Sequence, residues 1–257
     1  MKNLPLKLFL LLVANGAFAQ SANLKDLTDL ASGGGISSRP LLLMIGIVAI
    51  SLLPFVGMLV TSFVKIAVVL SITRQAVGMQ QAPPTTVITG LSILLTIYVM
   101  QPVGLHIYEN AEKFMKHQSQ EFFDKANVDV LIKAVVAAEE PIKKFLRTQA
   151  TDKNLQLFYS IAHKIRSEEH RKDLSIDDYI ILIPAFVISE LTKAFQIGFM
   201  IFLPFMVIDM AVANILMALG MQMLAPTMIS LPFKLLLFVM VDGWYLIAKG
   251  LILGYHT

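Results

Sequence analysis

The sequence predicts an all-α, membrane-associated protein made of apolar helical hairpins whose helices are broken by prolines. The chain has 257 residues, of which 56% are hydrophobic and only 15% are charged, a balance far more apolar than that of a soluble domain. Cysteine is absent, which excludes disulfides, thiolate metal sites, iron–sulfur clusters and cysteine nucleophiles. The net charge of +3 is not gathered into a basic cluster, so no nucleic acid partner is expected.

The first segment, residues 1–19, has the layout of a cleavable secretory signal peptide. Lys2 and Lys7 precede an apolar run over 8–14, and an Ala-Phe-Ala triplet closes the segment. The run is shorter than the roughly 20 apolar residues that a membrane span needs. An uncleaved amphipathic anchor is the alternative. Residues 20–40 follow as a polar tail with a glycine linker.

Charge divides the rest of the chain into two apolar blocks around a polar insert. Residues 105–180 carry 25 of the 39 charged side chains. Residues 41–104 predict a first helical hairpin, with Pro84 near the start of its second helix. Residues 105–179 have amphipathic helical spacing and predict a small helical region in water. A secretory N-terminus places this insert on the periplasmic side.

Residues 180–257 form the second block, a nearly continuous apolar sequence long enough for three helices. Prolines and charged residues interrupt it: Pro184, Pro204, Pro226, Pro232, Glu190, Lys193, Asp209, Lys234, Asp242 and Lys249. A charge at the centre of a bilayer costs about 2.5–3.5 kcal/mol even on the lenient insertion scale, and proline frees backbone carbonyls that need protein neighbours. These groups are therefore expected to face partners or water.

Three stretches of the sequence resemble the signatures of the FliP/SctR family. The first comprises LP at 53–54, TSFVKI at 61–66 and RQAVGMQQAPP at 74–84; the second is IPAFVISEL at 183–191; the third is ISLPFKLLLFV at 229–239 followed by DGW at 242–244. The similarity extends from about residue 52 to the C-terminus, and the insert is the region that it covers least well.

The resemblance implies the core pore-forming subunit of a type III secretion export gate, through which unfolded proteins cross the bacterial inner membrane. It implies a ring or cone of about five copies in the basal body, assembled toward the periplasmic side. The implied partners are FliQ/SctS-like and FliR/SctT-like subunits and an FlhB/SctU-like switch protein. Residues 213–221 and 250–255 are more similar to the injectisome branch, whereas residues 74–76 and the signal peptide are more similar to the flagellar branch. The injectisome is favoured.

The same resemblance assigns a pore gasket to Met217, Met221, Gln222 and Met223, which match the family's methionine loop. Methionine suits such a seal because its flexible thioether side chain repacks around varied partners, and an apolar ring can close a pore by dewetting. Gln222 departs from the family's methionine triplet and predicts a smaller, wetter or displaced seal. The alternative is that these methionines fill a core.

Two pairs of charged residues are candidates for assembly contacts. Asp209 and Lys234, each isolated in apolar sequence, are expected to meet across a helical hairpin or between neighbouring subunits. Water or backbone carbonyls are their alternative partners. Glu190 and Lys193 lie three residues apart on one helical face and either pair with each other or act between subunits.

Arg74 and Asp242 complete the charged candidates. Arg74 lies beside the turn at 80–84 and is expected to support that turn, to contact a partner or to mark a cytoplasmic flank. Asp242 precedes Gly243 and Trp244, a combination that suits a close helix contact. An interfacial tryptophan anchor is the alternative for that segment.

Neither an enzyme nor a cofactor is predicted. The glycine run at 33–35 lacks the continuation of a phosphate-binding loop. His163 and His170 lie near Glu168 and Glu169, but their spacing does not match a metal site. No nucleophile, base and oxyanion-hole set is recognisable among sequence neighbours.

Two other functions stay open at the level of sequence. A small-solute or proton-coupled transporter would use Glu190, Asp209 and Asp242 as relay groups in broken helices. An intramembrane protease would need paired acids, for which Asp209 and Asp242 are the only candidates.

Overall fold

The structure is a computed structural model that describes residues 51–52, 54–79, 82–115, 128–171, 174–221 and 223–255. Every regular element in these residues is a helix, which confirms the predicted all-α class. In chain order the helices are α1 Pro54–Val60, α2 Phe63–Ala76, α3 Thr85–Met115, α4 Val128–Gln149, α5 Asp152–Ile165, α6 Glu168–Arg171, α7 Tyr179–Ala218, α8 Pro226–Met240 and α9 Gly243–Leu253. The predicted signal peptide, the tail and linker, and the start of the first hairpin lie outside the described residues.

Two of these helices are long and apolar enough to cross a membrane, residues 85–110 within α3 and the whole of α7. Two pairs of helices joined by a short break, α1 with α2 and α8 with α9, each qualify as a further span if the pair is counted together. The axes of α8 and α9 differ by 59°. The described residues thus contain two to four candidate spans, in agreement with the predicted apolar helices.

Proline has two different effects on these helices. α8 begins at Pro226, a position where the missing N–H is not needed by the helix. α7 instead continues for 40 residues through Pro184 and Pro204, where the sequence predicts interruptions. Apolar membrane helices tolerate such prolines because nearby groups can satisfy the freed carbonyls. The breaks lie at residues 61–62 and 241–242.

Left-handed glycines end two of the apolar helices. Gly78 after α2 has φ +87° and Gly220 after α7 has φ +72°. After α7, the N–H of Gly220 donates to the carbonyl of Met217, and the N–H of Met221 donates to the carbonyl of Leu216. This is the Schellman pattern, which satisfies the last carbonyls of a helix. The loop after α7 therefore leaves the helix in a defined direction.

The chain divides into two compact units. The described residues of the first unit lie within 51–60 and 102–187, and those of the second lie within 61–101 and 188–255. The boundary predicted at residue 104 falls inside α3, which is continuous there.

The first unit has a small apolar core between the polar insert and the N-terminal part of α7. The rings of Phe145 and Phe186 lie 5.7 Å apart, and Leu155 is fully buried. The Tyr179 hydroxyl donates to the backbone carbonyl of Glu139 over 3.3 Å. α4 therefore contacts the N-terminal part of α7 through one aromatic pair and one hydrogen bond.

The second unit packs α2, α7 and α8 together. Its core cluster consists of Ala76, Val77, Phe205 and Phe238. α2 and α7 approach closely at Gly198, where a Cβ atom would lie only 2.6 Å from Cδ1 of Ile72. Only glycine therefore fits at this crossing without a shift of the neighbouring side chain.

Many large apolar side chains on α7 and α8 face outward in the single chain. They include Phe195, Phe199, Met200, Val207, Met210, Phe233, Val239 and Met240. Continuous apolar surface of this kind requires lipid or protein neighbours.

Candidate functional site

Four side chains of the second unit form a group that we name the Glu190 cluster: Lys65, Glu190, Lys193 and Tyr255. Nζ of Lys65 lies 3.3 Å from Oε2 of Glu190, and these two side chains are 2% and 0% exposed. Lys193 donates to Oε1 of Glu190 over 3.1 Å, and the Tyr255 hydroxyl donates to Oε2. Nζ of Lys65 also lies 3.4 Å from the centre of the Tyr255 ring. Both carboxylate oxygens of Glu190 therefore have cationic or hydroxyl partners.

Sequence reasoning considered the contact between Glu190 and Lys193 but missed Lys65 and Tyr255. Lys65 is the only charged residue between Arg39 and Arg74, and a lysine isolated in apolar sequence needs an anionic partner. That isolation was a usable signal. Tyr255 carried no such signal, because a tyrosine beside the end of an apolar helix is common at membrane interfaces.

A second group, the Asp209 cluster, comprises Asp209, Ser230 and Lys234 and joins α7 to α8. Oδ2 of Asp209 lies 2.5 Å from Nζ of Lys234, and the Ser230 hydroxyl donates to Oδ1 over 2.5 Å. The side chain of Lys234 is 7% exposed and that of Asp209 is 29% exposed. The contact forms across a helical hairpin within one chain, which is one of the two arrangements left open by the sequence.

Ser230 is the member of this cluster that sequence reasoning missed. It is fully buried and lies four residues before Lys234, so both side chains share one face of α8. A serine one helical turn from a buried lysine is a weak signal in a sequence, because serine also bonds readily to its own helix backbone.

The predicted gasket residues lie in the last turn of α7, which contains Met217, and in the loop between α7 and α8. Met217, Met221 and Met223 are 60%, 49% and 101% exposed, and Gln222 lies outside the described residues. The loop leaves α7 at the left-handed Gly220, and α8 begins at Pro226. In the single chain these methionines are presented outward at the connection between two apolar helices.

Arg74 supports the turn that follows α2. Its Nη1 atom donates to the carbonyl of Pro83 and to Oγ1 of Thr85, each over 3.2 Å. These two hydrogen bonds join the end of α2 to the start of α3. The structure thus shows the turn-supporting arrangement among those considered for this arginine.

Asp242 was placed among the buried charges by the sequence, but its side chain is exposed. It lies at the bend between α8 and α9 with φ 50°, outside both helices, and this position explains its exposure. Its neighbours make the close contact: a Cβ atom on Gly243 would lie 2.2 Å from the ring of Phe238. Trp244 meets Phe238 edge to face at 5.2 Å.

The His and Glu residues that were considered for metal binding lie in the first unit. His163 belongs to α5 and Glu168 to α6. The side chains of Glu169 and His170 lie outside the described part. Among the residues that are described, no three His, Asp or Glu side chains are grouped as metal ligands would be.

These features define a class of protein: an all-helical membrane protein in which buried ion pairs join separate apolar segments. The sequence model of the FliP family matches residues 46–251. The chain therefore belongs to the FliP family.

Relatives from both branches of type III secretion match at similar levels. The chain is 39% identical to the hypersensitivity response secretion protein HrcR of Ralstonia nicotianae over 214 residues, or 83% of this chain and 96% of the relative. It is 41% identical to the Yop proteins translocation protein R of Yersinia pestis over 218 residues, which is 83% of this chain and 95% of the relative. It is 44% identical to the flagellar biosynthetic protein FliP of Bacillus subtilis over 217 residues, which is 84% of this chain and 92% of the relative.

These matches confirm the resemblance to the FliP/SctR family. They also confirm that the chain is a component of the type III secretion export apparatus, flagellar or injectisome. The family and the candidate spans together indicate an inner-membrane component of a complex with other secretion subunits. The family is a structural part of that apparatus.

Proposed function

We propose that this chain is a pore-forming subunit of the export gate and that the loop between α7 and α8 forms its seal. The observation that carries the proposal is the outward exposure of Met217, Met221 and Met223 at the connection between two apolar helices. No charged residue occurs between Asp209 and Lys234. The loop and the helix ends beside it therefore carry no charge.

Such a loop has the properties that a gate for unfolded proteins needs. Thioether side chains repack around varied partners, so the seal can widen for a passing chain and close behind it. An apolar constriction also excludes ions by dewetting when it is empty. Gln222, in the middle of the loop, is expected to make this seal smaller or wetter than one formed by three methionines. The proposed work is mechanical and includes no catalytic step.

The Asp209 cluster has a supporting role in this proposal. It joins α7 and α8 through the 2.5 Å contact between Asp209 and Lys234, and these are the two helices that hold the loop. We infer that the Glu190 cluster, Arg74 and Asp242 keep the apolar segments in the arrangement required for assembly. These contacts hold the loop in position, while the methionines themselves seal the passage.

The proposed assembly contains about five copies in a ring or cone, with FliQ/SctS-like, FliR/SctT-like and FlhB/SctU-like partners. The exposed apolar faces of α7 and α8 support this proposal, because neighbouring subunits would cover them. The ring belongs in the basal body at the bacterial inner membrane, raised toward the periplasmic side. The signal peptide at 1–19 and a periplasmic insert at 105–179 are part of the same proposal.

Ion conductance of the assembled gate tests the proposal. The chain is co-expressed with its partner subunits, and the complex is reconstituted into planar bilayers. Replacement of Met221 and Met223 by alanine is expected to raise the resting conductance, because shorter side chains leave a wider and wetter constriction. Met240→Ala is the matched control, since Met240 is similarly exposed at 75% but lies at the far end of α8.

The outcome separates a seal from ordinary packing. Raised conductance in the loop variant alone supports the proposal. Equal conductance in the wild type, the loop variant and the control would show that the loop does not form the seal. A purified chain that forms no complex with its partners would instead contradict the proposed assembly.

Solute transport is not favoured by the geometry of the acids. Glu190 contacts Lys65 and Lys193, and Asp209 contacts Lys234. Acids held in such pairs fit a structural role, whereas a relay group must exchange its partner during transport.

A further inference from the structure

We propose that Tyr255 is a positioning residue that permits Lys65 and Glu190 to be buried together. It thereby fastens the chain beyond α9 to the start of α2. The proposal concerns contacts within a single chain and does not depend on the sealing role of the methionine loop.

Tyr255 makes two different contacts with the two members of the ion pair. Its hydroxyl donates to Oε2 of Glu190, and its ring lies under Lys65 with 3.4 Å between Nζ and the ring centre. The same hydroxyl lies 3.4 Å from the carbonyl oxygen of Ser62, a residue 193 positions away in the chain. Tyr255 itself is only 7% exposed, so water does not provide these contacts.

The ion pair needs contacts of this kind. Lys65 and Glu190 are 2% and 0% exposed, and a buried pair is stable only if further hydrogen bonds satisfy the remaining donors and lone pairs. Lys193 donates a hydrogen bond to Oε1 of Glu190, whereas the Tyr255 hydroxyl donates to Oε2. The π face of Tyr255 also replaces part of the hydration lost by the Lys65 ammonium. One side chain thus compensates both the anion and the cation.

Three substitutions separate these contributions. Tyr255→Phe keeps the ring under Lys65 and removes the hydroxyl, while Tyr255→Leu removes both. Tyr245→Phe is the matched control, because Tyr245 is 62% exposed and its ring lies 5.6 Å from Nζ of Lys249, a looser version of the same contact.

The experiment measures unfolding of the full-length chain in mild detergent, together with the amount of chain recovered in membranes. Tyr255→Phe is expected to lower the ratio of folded to unfolded chain by about tenfold, the usual effect of losing a hydrogen bond to a charged group. Tyr255→Leu is expected to lower it further. Tyr245→Phe is expected to behave as wild type.

A charge-free background distinguishes positioning from simple packing. When Lys65 and Glu190 are both replaced by methionine, no ion pair remains for Tyr255 to support. Tyr255→Phe is then expected to have a much smaller effect, because the Glu190 acceptor is gone and only the Ser62 carbonyl, 3.4 Å from the hydroxyl, remains. An equal loss in both backgrounds would assign Tyr255 to packing alone and overturn the proposal. If the chain with both methionines does not fold, the single variant Tyr255→Phe decides: unfolding identical to that of the wild type would overturn the proposal.

Discussion

Removal of the Asp209 carboxylate is expected to loosen the hairpin that carries the methionine loop. In Asp209→Ala the ammonium of Lys234, 7% exposed, loses its anion, and the buried Ser230 hydroxyl keeps only the Thr227 carbonyl as an acceptor. Breaking a buried ion pair from one side costs about 3–5 kcal/mol. Because Asp209 is 29% exposed, water offsets part of that loss, and we expect about 2–3 kcal/mol.

Thermal unfolding of the chain in detergent measures this effect. A loss of about 2–3 kcal/mol lowers the midpoint by roughly 4–12 °C for a chain of this size. Adding Lys234→Met to Asp209→Ala is expected to restore part of the stability, since no unpaired ion then remains. Lys249→Met, at an exposed lysine of α9, serves as the control. An unchanged midpoint in Asp209→Ala, or a double variant that is less stable than the single one, would refute the reasoning.

Three further substitutions test other contacts. Gly198→Ala places a Cβ atom 2.6 Å from Cδ1 of Ile72, and thermal unfolding is expected to show a loss of about 1–3 kcal/mol in stability. Adding Ile72→Ala should relieve the clash. Gly90→Ala is the control, because nothing lies within 4 Å of the added Cβ atom, and it should not destabilise the chain. Gly220→Ala forces alanine to φ +72° at a cost of about 1–2 kcal/mol, and recovery of full stability in Gly220→Asn would support backbone strain as the cause. Arg74→Met removes two hydrogen bonds to the turn after α2, so limited proteolysis should cut that turn faster, and an unchanged rate would contradict the assigned contact.

Composition and charge distribution were sufficient to predict the helical membrane class. A chain with 56% hydrophobic and 15% charged residues cannot place its apolar surface around one small soluble core, and the sparse charges mark the places where apolar segments must find partners. The continuity of α7 was not predictable in the same way. Pro184 and Pro204 break an isolated helix, but neighbouring groups decide whether a membrane helix continues.

The candidate site was predictable in part for the same physical reason. Isolation in apolar sequence identified Asp209 and Lys234 as groups that need partners, and the structure brings them together at 2.5 Å. The partner of Lys65 lies 125 positions further along the chain, a separation that no local pattern reveals. Tyr255 and Ser230 were missed because neutral hydroxyl groups carry no charge that demands compensation.

Asp242 differs from these residues in the single chain. It was assigned to the buried charges because apolar sequence surrounds it, yet it occupies a left-handed bend at φ 50°, where its side chain is exposed.

Crosslinking from the loop between α7 and α8 tests whether secreted proteins pass this loop. A photoreactive amino acid is placed at Met223 in the assembled apparatus, and a secretion substrate fused to a domain that cannot unfold is stalled in transit. We expect a crosslink between position 223 and the unfolded part of the stalled substrate, and none from Met240, which is also exposed, at 75%, but lies at the far end of α8. A stalled substrate that crosslinks to position 240 and not to position 223 would contradict a seal formed by this loop.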